Sequence, residues 1–313
     1  MAYSTGSIIS ASDFNGLANT TVGGNVTFIW GVGSAQYGYG QSTTALQTLS
    51  AGATITAAQW SGFLGALNGS AQHQSGAAAT LGPLNYSAGQ TITYFSNIGT
   101  KISTINSGYA SYTAQGSTTA GTNFLTWANA AAASAYTGQY TITRTVTFAS
   151  GDAARYFFNA GGQLSFVISS VTNADSTART TSVQTLLFTN VGGIQFVRNT
   201  TDGGLIGAGG TPNANVTNIG YRSLTTSLQT LGDVNNSTVG YTTNNANIRI
   251  KSDGVQGTNQ DLGRTITFVL GLSAPAHSAF NGTLAAGINH RVDITYPETT
   301  YLTSSPWGTP TVA

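Results

Sequence analysis

Chemistry at a protein site needs titratable or nucleophilic groups gathered with tuned pKa values. This chain has few: three histidines, eight aspartates and one glutamate in 313 residues. His290 and Asp293 share one run, but residues i and i+3 on a strand face opposite sides, so they are not expected to pair. His277 follows Pro275 in an evident loop, and His73 closes a helical stretch within Gln72-His73-Gln74. Each is expected to be a surface or capping residue. Their positions follow no metal-ligand spacing.

The absence of cysteine excludes a disulfide framework, a cysteine zinc site and a thiol nucleophile. There is no Gly-x-Ser-x-Gly elbow. Gly31-Val32-Gly33-Ser34 and Gly203 to Gly210 lack the strand, helix and acidic residue of a dinucleotide loop, and the Gly-Lys-Ser/Thr of a phosphate loop. No two carboxylates stand out as a glycosidase pair. The expectation is a protein that is not an enzyme and uses no cofactor or metal.

Partners are bounded by charge. Charged residues are 6% of the chain and the net charge is +1, against roughly 25% charged in an ordinary domain. The basic residues are scattered singly, so no nucleic-acid groove is expected. The same scarcity argues against a lipid-surface helix, and no run approaches the roughly 18 apolar residues of a membrane span. The first residues lack the basic start and apolar core of a signal peptide, so synthesis in a cytosol is expected. Weak repulsion between copies suits an assembled protein.

The elements that must position these residues begin with a repeat. Ile8-Ile9-Ser10-Ala11-Ser12-Asp13-Phe14 lines up with Thr54-Ile55-Thr56-Ala57-Ala58-Gln59-Trp60. Ser10 and Thr56 are N-cap residues, and Asp13 and Gln59 sit three later, where a capping-box side chain reaches back. Trp60, Phe63, Leu64, Leu67 and Ala71 then follow helical spacing. A weaker copy starts at Ser87 and leads into Phe95, Ile98, Ile102 and Ile105. Ser107 to Ala120 has linker composition, and Phe124 to Ala135 is expected to be helical.

From Gln139 the period switches to two. Strands are expected at 141–148, 183–189, 194–197, 219–231, 247–250, 264–272 and 290–296. The densest apolar segment, Arg155 to Ser169, is expected to be a β-hairpin turning at Gly161-Gly162, with Tyr156 and Phe158 on one strand and Phe166 on the other. The prolines of Tyr301 to Pro310 keep that tail out of a central strand; it should wrap an edge or pair with a neighbouring subunit. The fold class is therefore α+β: a helical module over 1–110, a linker over 111–138, and an antiparallel β-sandwich or barrel-like domain over 139–313. Structural or interaction roles fall to Phe14, Trp60, Phe63, Tyr156, Phe158, Gly161, Gly162, Phe166 and Trp307.

Several of these segments resemble virion structural proteins of tailed bacteriophages, most strongly those infecting cyanobacteria. The resemblance is carried by Ile9-Ser10-Ala11-Ser12-Asp13-Phe14-Asn15, Ile55-Thr56-Ala57-Ala58-Gln59-Trp60, Gly38-Tyr39-Gly40-Gln41, His73-Gln74, Tyr156 to Gln163, and Thr300-Tyr301-Leu302 to Trp307-Gly308. It implies a virion part in a tail fibre, baseplate or neck appendage. The helical module would attach to the particle and the β domain would build a homo-oligomer, a trimer being favoured, beside other virion proteins. The alternative partner is a host-surface glycan, stacked on Tyr221, Tyr241 and Trp307 in predicted loops.

Overall fold

The computed structural model describes residues 9–18, 26–33, 37–79, 84–90, 97–109, 111–130, 138–173, 178–198, 214–216, 219–236, 242–255, 263–274 and 284–313. His277, Tyr241, Phe95, the 203–210 loop and residues 131–135 lie outside them.

The chain is α+β. Both capping boxes form. Ser10 accepts from the Asp13 amide while Asp13 accepts from the Ser10 amide at the head of α1 (Ala11–Ala18), and Thr56 and Gln59 do the same for α3 (Ala57–Ser75). The helical stripe of α3 turns Trp60, Phe63, Leu64 and Leu67 inward. Phe14 meets Phe63 edge-on at 6.1 Å. The short α2 (Val26–Trp30) and α4 (Ile98–Ser107), with Ile98, Ile102 and Ile105 buried, complete the N-terminal layer.

Two antiparallel sheets follow. One has the order β1-β10-β4-β5, with β2 also on β10: β1 (Gln115–Thr119), β2 (Phe124–Ala130), β4 (Gln163–Asn173), β5 (Gly193–Phe196) and β10 (Leu284–Pro297). The other runs β11-β3-β9-β8-β7-β6: β3 (Gly138–Thr147), β6 (Ala214–Val216), β7 (Gln229–Asn235), β8 (Asn245–Ser252), β9 (Thr265–Ala274) and β11 (Thr311–Val312). Phe166 of the first sheet stacks on Phe268 of the second at 6.0 Å, which fixes where the two cores meet. The matching segments Arg144 to Phe148 and Arg264 to Phe268 pair with each other, Val146 facing Ile266.

Five sequence expectations are corrected. The Arg155 to Ser169 hairpin is a helix followed by a strand: α5 (Gly151–Asn159) leads through Gly161-Gly162 into β4. Ser150 caps α5, accepting from the Ala153 amide at 3.0 Å, and Tyr156, Phe157 and Phe158 are consecutive rather than alternating, so burial overrides their strand propensity. Residues 183–189 are helical, α6 (Ala178–Gln184) running into a π-helical turn at Thr185–Val191; Val183, Leu186, Leu187 and Val191 have helical, not period-two, spacing. The expected helix from Phe124 is β2, and the 107–120 linker contains β1. Both short strands pair along one edge of β10. Finally, 219–231 is a 3-10 turn at Tyr221–Ser223 before β7.

The Tyr301 to Pro310 tail leads into β11, which closes one end of an edge. Thr311 and Val312 pair with Thr147 and Val146, and Leu302 and Trp307 are buried. The hydrophobic core is one continuous cluster from Phe14 to Trp307, crossing the sequence boundary at 111–138.

Candidate functional site

Of the nine residues nominated from sequence, the seven side chains Phe14, Trp60, Phe63, Tyr156, Phe158, Phe166 and Trp307 are all interior. Phe158 stacks on Tyr221 at 4.3 Å and meets Phe196 edge-on at 5.5 Å. Gly161 has φ +92, and a Cβ there would lie 2.7 Å from the Tyr112 ring; at Gly162 it would lie 2.5 Å from the Phe157 ring. The seven side chains pack within the core of their own chain. Tyr221 is 2% exposed and Trp307 1%, so neither ring face is the stacking platform a glycan was expected to use.

The histidines are also placed differently from expectation. His73 and His290 are buried, not surface or capping residues, because the helix and strand that carry them lie inside the core. His73 meets Tyr39 edge-on at 5.1 Å, and burial lowers its pKa to about 4. Burial likewise lowers His290. Asp293 pairs with Arg291 at 2.7 Å rather than with a histidine. Among the described residues no group of three or more His, Cys, Asp or Glu comes together to hold a metal ion. No helix among them is long and apolar enough to cross a membrane.

What the fold does assemble is a buried polar junction between the N-terminal helices and α5. Asn159 is its centre: its amide donates to the Gly38 carbonyl at 2.9 Å, and its carbonyl accepts from Arg198 at 2.8 Å. Its side-chain oxygen also faces the Arg222 guanidinium at 3.4 Å. Arg198 donates as well to the Tyr109 carbonyl at 2.9 Å, and Arg222 lies over the Tyr109 ring at 4.6 Å. Arg155 donates to the Tyr37 carbonyl and pairs with Asp152 at 2.8 Å.

The segments beside this centre extend it. Gln74 donates to the Tyr39 hydroxyl at 3.0 Å and the Ile105 carbonyl at 2.9 Å. Three hydrogen bonds join Gln41 and Thr303: the Gln41 amide donates to the Thr303 carbonyl at 3.0 Å, and the Thr303 amide and hydroxyl donate to Gln41 Oε1 at 2.8 and 2.9 Å. Gly40, at φ +70, lets the backbone pass where a Cβ would meet the Tyr156 ring at 2.4 Å and Pro306 at 2.7 Å. Three guanidinium groups thus meet one carboxylate, carbonyl oxygens and ring faces. Such groups are costly to bury unless hydrogen-bonded. Burial also lowers the Arg222 pKa and raises that of Tyr39.

Sequence reasoning missed this junction because its members are single residues spread from Tyr37 to Thr303. The available signal was the set of isolated arginines in apolar runs: a lone charge in such a run implies a buried partner. No protein-family model, curated protein or solved structure matches this chain.

Proposed function

We propose that the chain is a structural component of a tailed-bacteriophage virion, in a tail fibre, baseplate or neck appendage, built as a homo-oligomer with a trimer favoured. The observation that carries this reading is where the resemblance-bearing segments lie. Gly38 to Gln41, His73-Gln74, Tyr156 to Gln163 and Tyr301 to Trp307 contribute to the junction and the core around it. Their hydrogen bonds and packing hold the fold together, as a load-carrying particle component requires.

Self-association is supported by open strand edges. β1 is almost wholly exposed, and β11 covers β3 only at its Thr145 to Thr147 end. An unpaired edge is a template for another chain, and a surface with few charges resists association weakly. The receptor-binding alternative loses Tyr221 and the Trp307 face as stacking surfaces.

Mass spectrometry across a density gradient of lysate tests the proposal. Peptides of this chain are expected to sediment with tailed particles through repeated banding. Their confinement to the soluble top fractions overturns the assignment.

A further inference from the structure

An exposed strand edge offers another chain a row of donors and acceptors, and proteins that stay apart blunt it with short strands, bulges, charges or proline. Several edges here are blunted in this way: β5 and β6 are four and three residues long, and β1 carries a bulge. β3 is not. It runs ten residues and pairs with β9 without a bulge. Among the described residues only β11 and Ala313 pair with its outer edge, at Thr145 to Thr147. The rest of that edge, Gly138-Gln139-Tyr140-Thr141-Ile142-Thr143, has no charged residue and no proline.

The hydrogen bonds fix which backbone groups face outward. Thr145 and Ala313 exchange both amide-to-carbonyl bonds, at 2.9 and 3.0 Å, while Phe148 donates inward to the Arg264 carbonyl. Strand parity then turns the N–H and C=O of Gln139, Thr141 and Thr143 toward the open edge. Thr141 and Thr143 are exposed. The Thr143 carbonyl accepts from the Arg144 guanidinium at 3.0 Å, which occupies one of its two lone pairs.

We propose that this edge pairs antiparallel with the same edge of a second copy, about a twofold axis at Thr141, joining two six-stranded sheets into one. The register follows from the groups already in place. With Thr141 opposite Thr141, Thr143 meets Gln139 of the second copy, and the pairs exchange about six backbone hydrogen bonds. Tyr140 meets Ile142, an aromatic and β-branched pair of the favourable kind. Arg144 meets Gly138, whose lack of a side chain leaves room for the guanidinium. A slip toward Thr145 would set Gln139 where Ala313 is already bonded. A slip the other way leaves Thr143 with no partner in the strand. The proposal deepens the self-association part of the virion reading and rests on it, and it leaves the remaining surface for any threefold contact.

The chain has no cysteine, so single replacements in the full chain report the register. Thr141→Cys places two Cα atoms about 5.5 Å apart, inside disulfide reach, and should give a covalent dimer on mild oxidation. Thr143→Cys holds them about 14 Å apart along the strands and should not. In sedimentation velocity the wild type is expected to run as a dimer or larger species at about 100 µM. Thr141→Lys sets like charges face to face and should weaken association about tenfold or more, as should Thr141→Glu, whereas mixing the two variants restores it. A wild-type monomer overturns both this contact and self-association. An oligomer that is unchanged by Thr141→Lys, that gives no Thr141→Cys dimer, or that links equally through Thr143→Cys overturns this contact alone.

Discussion

Asn159 holds more of the junction than any neighbour, since its side chain and carbonyl face Gly38, Arg198 and Arg222. Asn159→Leu keeps approximate volume but leaves the Gly38 carbonyl without this donor and Arg222 without this acceptor. The expected loss is roughly 2–3 kcal/mol in urea unfolding, the scale for buried polar groups stripped of a partner. His73 makes a separate prediction. Its folded pKa, about 4, lies below its ordinary value of 6.5, so the unfolded chain binds more protons between those values. Stability is then full above pH 6.5 and falls as pH drops toward 4, by roughly 3 kcal/mol at most. His290 acts in the same direction. Urea midpoints against pH should show this slope, and His73→Gln should remove the larger share of it.

Among the elements, α5 shows what a sequence reveals and what it hides. Ser150 caps its start and Asp152 lies in its first turn, but the aromatic run at 156–158 reads as strand because aromatics favour strands. The structure buries that run between the sheets and the N-terminal layer, where tertiary packing decides. Ser150→Ala should cost about 1 kcal/mol, the usual value of an N-cap, measured by thermal unfolding. Gly161→Val should cost more, because it combines a positive φ with an encounter with the Tyr112 ring. A variant of unchanged melting temperature would contradict the close approach. The helix starts at Ser10 and Thr56 were fully legible, being local capping chemistry, as were β3 and β8, which alternate, and β9, which departs from alternation at the buried Val269. Residues 183–191 and β2 were not. Their period was ambiguous over so short a run, and their partners lie far away in sequence.

At the scale of the molecule, the α+β class was legible from the change of period near Gln139, whereas the union of the two halves was not. It depends on Gly40 against Tyr156 and Pro306, and on Gln41 against Thr303, which no local pattern announces. Because the core is continuous, calorimetry of the full chain should show one transition whose calorimetric and van't Hoff enthalpies agree; two resolved transitions would contradict a single body. Removing residues 1–110 would strip the junction as well as any attachment surface, so loss of that variant from particles would not separate docking from folding. The virion assignment is tested most directly by cryo-EM of the intact tailed particle. The account predicts density at the tail, baseplate or neck into which the 19-residue α3 and the two sheets fit, in symmetry-related copies with threefold repetition favoured. A complete reconstruction with no such density, from particles whose digest lacks this chain, would contradict it.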